Sequence, residues 1–181
     1  MDQADKPVIA PGRSCDGCTM CCKVLGIAAL EKPTQQWCTH CEIGTGCKIY
    51  GSRPAECEQF YCSYLLTADL GEEWAPAHCK MVLAYEAHAN RIVVHVDAGR
   101  PHAWKKEPYY SQIKTWARNA IAIRGQVIVW QGLDAVAVLP NRDVNLGRVK
   151  GTQMIVSIPR PDGGFDLTLM DRDDPRLKGR S

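Results

Sequence analysis

The residues able to do chemistry in this chain are its ten cysteines, at positions 15, 18, 21, 22, 38, 41, 47, 57, 62 and 79 of 181. Nine of them fall in three short stretches. The first is Cys15-x2-Cys18-x2-Cys21-Cys22. The second is Trp37-Cys38-Thr39-His40-Cys41-x5-Cys47, and the third is Arg53-Pro54-x2-Cys57-x4-Cys62. A two-residue gap lets two thiolates reach one ion from a tight turn, as zinc knuckles and iron–sulfur loops both do. Gly17 eases such a turn beside Cys18. Cys21 and Cys22 are neighbours, so their side chains diverge and more easily serve two centres than one. The pattern predicts bound metal and leaves open whether it is zinc or an iron–sulfur cluster.

A disulfide scaffold is the competing reading of so many cysteines, and it needs an export signal. The stretch MDQADKPVIAPGRSC has no apolar run of signal-peptide length. No segment approaches the ~20 apolar residues of a membrane span. The expectation is therefore a cytoplasmic protein with reduced thiols and no membrane partner.

At these residues the chain resembles the YkgJ-like cysteine-cluster family. The shared order is C-x2-C-x2-CC, then W-C-x-H-C, then G-C-x-I-Y-x2-R-P-x2-C-x4-C. The matching positions are Cys15, Cys18, Cys21, Cys22, Cys38, Cys47, Cys57 and Cys62, with Ile49, Tyr50, Arg53 and Pro54 as motif neighbours. The resemblance covers residues 15–62. It implies a zinc- or iron-chelating domain and no particular reaction. A related cysteine motif occurs in flagellin lysine N-methylases, where it is associated with an iron–sulfur cluster. Many relatives carry an apolar residue where Cys41 stands, and Cys79 lies outside the motif.

Eight thiolates would fill two four-cysteine zinc sites, or one four-iron cluster with four thiols left over. Bound thiolates leave a net negative charge that Arg13, Lys23, Lys48 or Arg53 would offset. Arg53 is a candidate for hydrogen bonding to a ligand sulfur; a salt bridge to Glu56 is the plain alternative. His40 has an awkward reach to an ion shared with Cys38 and Cys41, which favours a supporting role over ligation. His78 beside Cys79 makes a weak ligand pair and reads rather as part of an ordinary loop, while His88, His95 and His102 have no matching partners in sequence and read as structural or exposed. Trp37, Tyr50, Phe60 and Tyr61 read as a small core around the cysteines, and Trp104, Trp116 and Trp130 as core.

The elements that must position these residues divide as a lead-in at 1–14, the cysteine region at 15–80, an α+β region at 81–170 and a charged, disordered tail at 171–181. Residues 20–30 suggest a short helix or strand broken by Pro33, and residues 53–60 a helical turn. Residues 81–85 and 91–96 read as a hairpin with Asn90 in a left-handed turn position. Residues 107–123 carry apolar side chains at helical steps, and Gly125 follows as a stop. Strand-like runs follow at 126–131, 134–139, 152–158 and 165–170, the last entered through an Asp162-Gly163-Gly164 turn. The fold class expected is α+β: an irregular cysteine-rich half packed on a small antiparallel sheet with one main helix.

Net charge is +2, too small to argue for a nucleic-acid partner. Residues 1–80 hold seven Lys/Arg and ten Asp/Glu (−3), and residues 81–181 hold fifteen and ten (+5). This asymmetry suggests that the halves attract each other, or that a protein partner presents a negative surface. The second half has no Gly-rich phosphate loop and no serine elbow, so no catalytic residue is assigned. The function expected is an accessory or metal-handling factor. The alternatives are an iron–sulfur redox or electron-transfer protein and a thiol oxidoreductase or redox switch.

Overall fold

The computed structural model describes residues 7–161 and 164–177. Five short α-helices and nine strands carry the chain among these residues: α1 (Met20–Val24), β1 (Cys41–Glu42), β2 (Gly46–Cys47), α2 (Ala55–Glu58), α3 (Ser63–Leu66), α4 (Pro76–Cys79), β3 (Met81–Glu86), β4 (Arg91–Val96), α5 (Tyr109–Ala122), β5 (Gln126–Gln131), β6 (Asp134–Val138), β7 (Asp143–Arg148), β8 (Gln153–Pro159) and β9 (Phe165–Asp171). Only α5 exceeds five residues, so the α+β class with one main helix holds.

The main sheet has the order β3-β4-β5-β6-β7 and is mixed, not antiparallel throughout. β4 and β5 run parallel because α5 carries the chain back between them. β8 and β9 form a separate antiparallel ribbon. β7 departs from the sequence expectation, which left 140–151 without a strand. Asp143, Asn145 and Arg148 are polar, Val144 and Leu146 are only partly buried, and the strand exists because it pairs with the apolar β6 at the sheet edge. The Asp162-Gly163-Gly164 turn lies largely outside the described residues. Of the tail expected to be disordered, Asp171 closes β9 and Pro175–Leu177 form a 3-10 turn.

Runs such as Met-Val-Leu in β3 and Val-Ile-Val in β5 are apolar without interruption because the sheet is covered on both faces. Alternation decides which cover each residue meets. Met81, Leu83, Val94, Val96, Val127 and Val129 pack with Ile113, Ala117 and Ala120 of α5, and with Trp74 and Trp104. On the opposite face Val82 meets Met20 and Val24 of α1, with Cys18, Phe60 and Cys62 alongside. Farther along the sheet, Ile128, Ala135 and Ala137 pack under Ile155 and Leu167 of the ribbon. The cysteine region is thus docked on β3 by side chains that stand next to its own sulfurs.

The hairpin of β3 and β4 closes through Asn90 in the left-handed conformation, φ 45°. After α5 the left-handed residue is Arg124 (φ 53°), one position before Gly125. Gly125 is required for another reason. A Cβ there would come within 3.0 Å of the Asn90 carbonyl oxygen.

Candidate metal centre

All ten cysteines carry free thiols. Local backbone structure brings the three stretches together. The Cys18 N–H donates to the Cys15 carbonyl at 3.0 Å and so forms the tight turn of the first stretch. Gly17 makes this turn with φ +70°. The Cys38 N–H donates to the Cys22 carbonyl at 3.0 Å and joins the second stretch to the first. β1 and β2 set Cys41 opposite Cys47. Pro54 opens α2 and turns Cys57 inward, while Cys62 stands at the start of α3.

The result is a single open cavity of about 880 Å³. Cys15, Cys18, Cys21, Cys22, Cys38, Cys47, Cys57 and Cys62 all line it, together with His40 and Arg53. Cys41 and Cys79 do not. Cys41 is hydrogen-bonded with Cys22 and Thr19 through its side chain. The Cys79 thiol is buried and faces the carbonyl oxygens of Trp74 (3.6 Å) and Met81 (3.3 Å). Among the described residues, no three His, Cys, Asp or Glu side chains are closed around one point as they are turned.

The thiols influence one another strongly. Burial, then the neighbouring Cys62 and Cys18 sulfurs, push Cys15 up to about 11. Cys22 is raised most, first by its hydrogen bond with Cys21 and then by burial. Burial and the sulfurs of Cys22, Cys38 and Cys47 raise Cys57, and burial raises Cys62. Two neighbourhoods follow. Cys15, Cys18 and Cys62 interact on one side, and Cys21, Cys22, Cys38, Cys41, Cys47 and Cys57 on the other. Crowded, half-buried thiols hold their protons because burial disfavours the thiolate and each thiolate repels the next. A cation among them reverses that balance, since the same crowding then stabilises the charge. Soft sulfur donors at this density suit zinc or an iron–sulfur cluster.

One residue of the site has no motif to announce it. Lys32 is 8% exposed. Its Nζ donates to the carbonyl oxygens of Lys23 (3.3 Å), Leu25 and Pro33 (3.0 Å). Burial lowers its pKa, while the sulfurs of Cys38, Cys22, Cys21 and Cys57 favour its charge. It is the buried cation of the larger sulfur neighbourhood. Lysines are common, and without the fold only the adjacent Pro33 marks this one.

The other predicted cations divide. Arg13 donates to the carbonyl oxygens of Tyr64, Thr67, Ala68 and Leu70, and so ties the chain just before the first cysteine stretch to α3 and the segment after it. Lys23 pairs with Asp97. Arg53 stacks on the Tyr50 ring at 3.7 Å and donates to the Tyr50 carbonyl. Its charge lies near enough to Cys15 and Cys57 to favour their thiolates. Glu56 instead accepts from the Ala29 N–H at 3.3 Å. His95, read from sequence as structural or exposed, and His78, read as part of an ordinary loop beside Cys79, both line the cavity.

Comparison with protein-family models, with curated proteins and with solved structures gave no match.

Proposed function

We propose that this chain is a cysteine-thiolate metal-binding protein, holding zinc or an iron–sulfur cluster, and that it serves as an accessory or metal-handling factor. The observation that carries the reading is the shared cavity. Eight free thiols from three separated stretches line it. Cys15, Cys18, Cys21, Cys22, Cys38, Cys47, Cys57 and Cys62 would hold the metal, which when bound supplies the positive charge that keeps them as thiolates. Lys32 and Arg53 offset the negative charge that a thiolate site leaves behind. The motif resemblance to the YkgJ-like family, confined to residues 15–62, supports the same assignment. Among the described residues no helix is long and apolar enough to cross a membrane. We assign the protein to the cytoplasm, where thiols at this density stay reduced.

Elemental analysis and an absorption spectrum of protein purified without oxygen test the proposal. Stoichiometric zinc in a colourless protein supports the zinc form. Iron with acid-labile sulfide, and a broad absorbance near ~400 nm that dithionite bleaches, supports the cluster. Protein with full thiol content and neither metal would end the proposal.

A further inference from the structure

A second cavity, of about 350 Å³, adjoins the first. It lies between α4 and the turn at residues 97–106, and its lining includes His78, Lys80, Arg100, His102, Lys106 and Tyr109. Five of these six are basic, and no Asp or Glu lines the space. Lys80 holds its left-handed position at φ 60° and donates from Nζ to the Ala77 carbonyl, which fixes that charge against the wall. Arg100 and Lys106 are exposed. Among the described residues no hydrogen bond or ion pair engages either side chain, whereas Lys105, beside Lys106, lies 3.8 Å from Asp143. Like charges set around one hollow repel, and an anion between them relieves that repulsion.

We infer that this hollow binds the phosphate group of a small phosphorylated molecule. A guanidinium offers a planar fork to phosphate oxygens, and an ammonium adds a point charge. Three full positive charges from Lys80, Arg100 and Lys106 match a dianion better than a single carboxylate. His78 and His102 supply further ring N–H donors. Tyr109 and Pro101 form a less polar wall for the organic remainder. The volume is at the small end of the range for ligand sites. His78 lines both cavities, so the bound molecule lies against the edge of the thiol cavity. Binding at this site does not depend on metal in the other.

The test is calorimetric titration of the full chain with inorganic phosphate and, separately, with phenyl phosphate, joined to NMR of the histidine ring protons. We expect saturable binding of phenyl phosphate with a Kd below about 1 mM. The His78 and His102 signals should move together along the titration, and those of His88 should stay in place. The double variant Arg100→Gln/Lys106→Gln removes two exposed side chains and should melt as the wild type does. Its affinity should fall at least about tenfold. No saturation by about 10 mM, or unchanged affinity in the double variant, would overturn the site. Equal affinity for the two ligands would overturn the organic half of the inference.

Discussion

Lys23 Nζ lies 2.7 Å from a carboxylate oxygen of Asp97, and this contact joins the cysteine region to the end of β4. Asp97 is 6% exposed, and it also accepts from the Gly99 N–H at 2.8 Å. Beside the pair, Gln35 donates to the Val96 carbonyl at 3.1 Å and accepts from the Ala98 N–H at 2.9 Å. Among the described residues it is the one ion pair linking residues 1–80 with 81–181, and its sense is opposite to their net charges. The cation comes from the acidic half. Net charge therefore says little about how the halves meet; a specific buried acid decides it.

Replacing Lys23 with Met leaves the Asp97 carboxylate nearly buried with no counter-charge. The expected cost is about 2–3 kcal/mol, since stranding one member of a buried pair costs more than the pair contributes. The double variant Lys23→Met/Asp97→Asn should recover part of this loss. Urea unfolding of the two variants beside the wild type measures it. A Lys23→Met protein as stable as the wild type would show that the pair does not hold the junction.

Cys18 and Cys79 separate the thiols that face the cavity from the one that does not. Cys18→Ala should remove bound metal and most of the folding of residues 15–62, since metal contributes on the order of 10 kcal/mol in small zinc modules. Cys79→Ala deletes a buried thiol from the core around Trp74 and Met81. It should cost about 1–2 kcal/mol and leave metal content unchanged. Elemental analysis and thermal melting of both variants check this, and metal lost equally from both would refute the division.

Lys32 offers a sharper test of the site's electrostatics. Lys32→Met keeps the length of the side chain and removes its charge from among Cys21, Cys22, Cys38 and Cys57. Metal held by those sulfurs should weaken about tenfold or more, as when a partner of a ligand is removed. Competition with a coloured chelator measures the change. Lys32→Arg retains the charge and should bind metal more tightly than Lys32→Met, unless Lys32 acts only through the carbonyl oxygens it bonds.

Much of the scaffold was legible in the sequence because two-sided burial writes long apolar runs. Residues 81–85, 91–96 and 126–131 could be recognised as strands, and α5 by its three- and four-residue steps. β7 could not, because Asp143, Asn145 and Arg148 have no strand preference of their own and take their conformation from β6. The parallel join of β4 to β5 was equally hidden, since periodicity carries no direction. In the site, spacing marks nine cysteines, the resemblance to the YkgJ-like motif narrows them to eight, and those eight line the cavity. Lys32 was invisible for the opposite reason. Its importance comes from burial beside sulfurs brought from other stretches, and no local pattern records that. His95 shows the same limit, since alternation along β4 gives its face but not what covers that face.

His95 sits opposite Val82 on β3 and Trp130 on β5, and its side chain lines the thiol cavity. Burial holds its pKa down to about 4, against 6.5 for the free side chain. Between these values the unfolded chain takes up a proton that the folded chain refuses. Stability from the neutral imidazole is therefore complete above about pH 6.5 and declines as pH falls, with a loss of up to about 3 kcal/mol near pH 4. Acid also releases metal from thiolates, in both proteins alike, so the His95 contribution is read as the difference between wild type and variant at equal metal content. Urea unfolding of the wild type from pH 7 to pH 4 should show the decline, and His95→Gln should flatten it over the same interval. Parallel pH dependences in the two proteins would mean that His95 is already protonated, or already solvated, in the folded state.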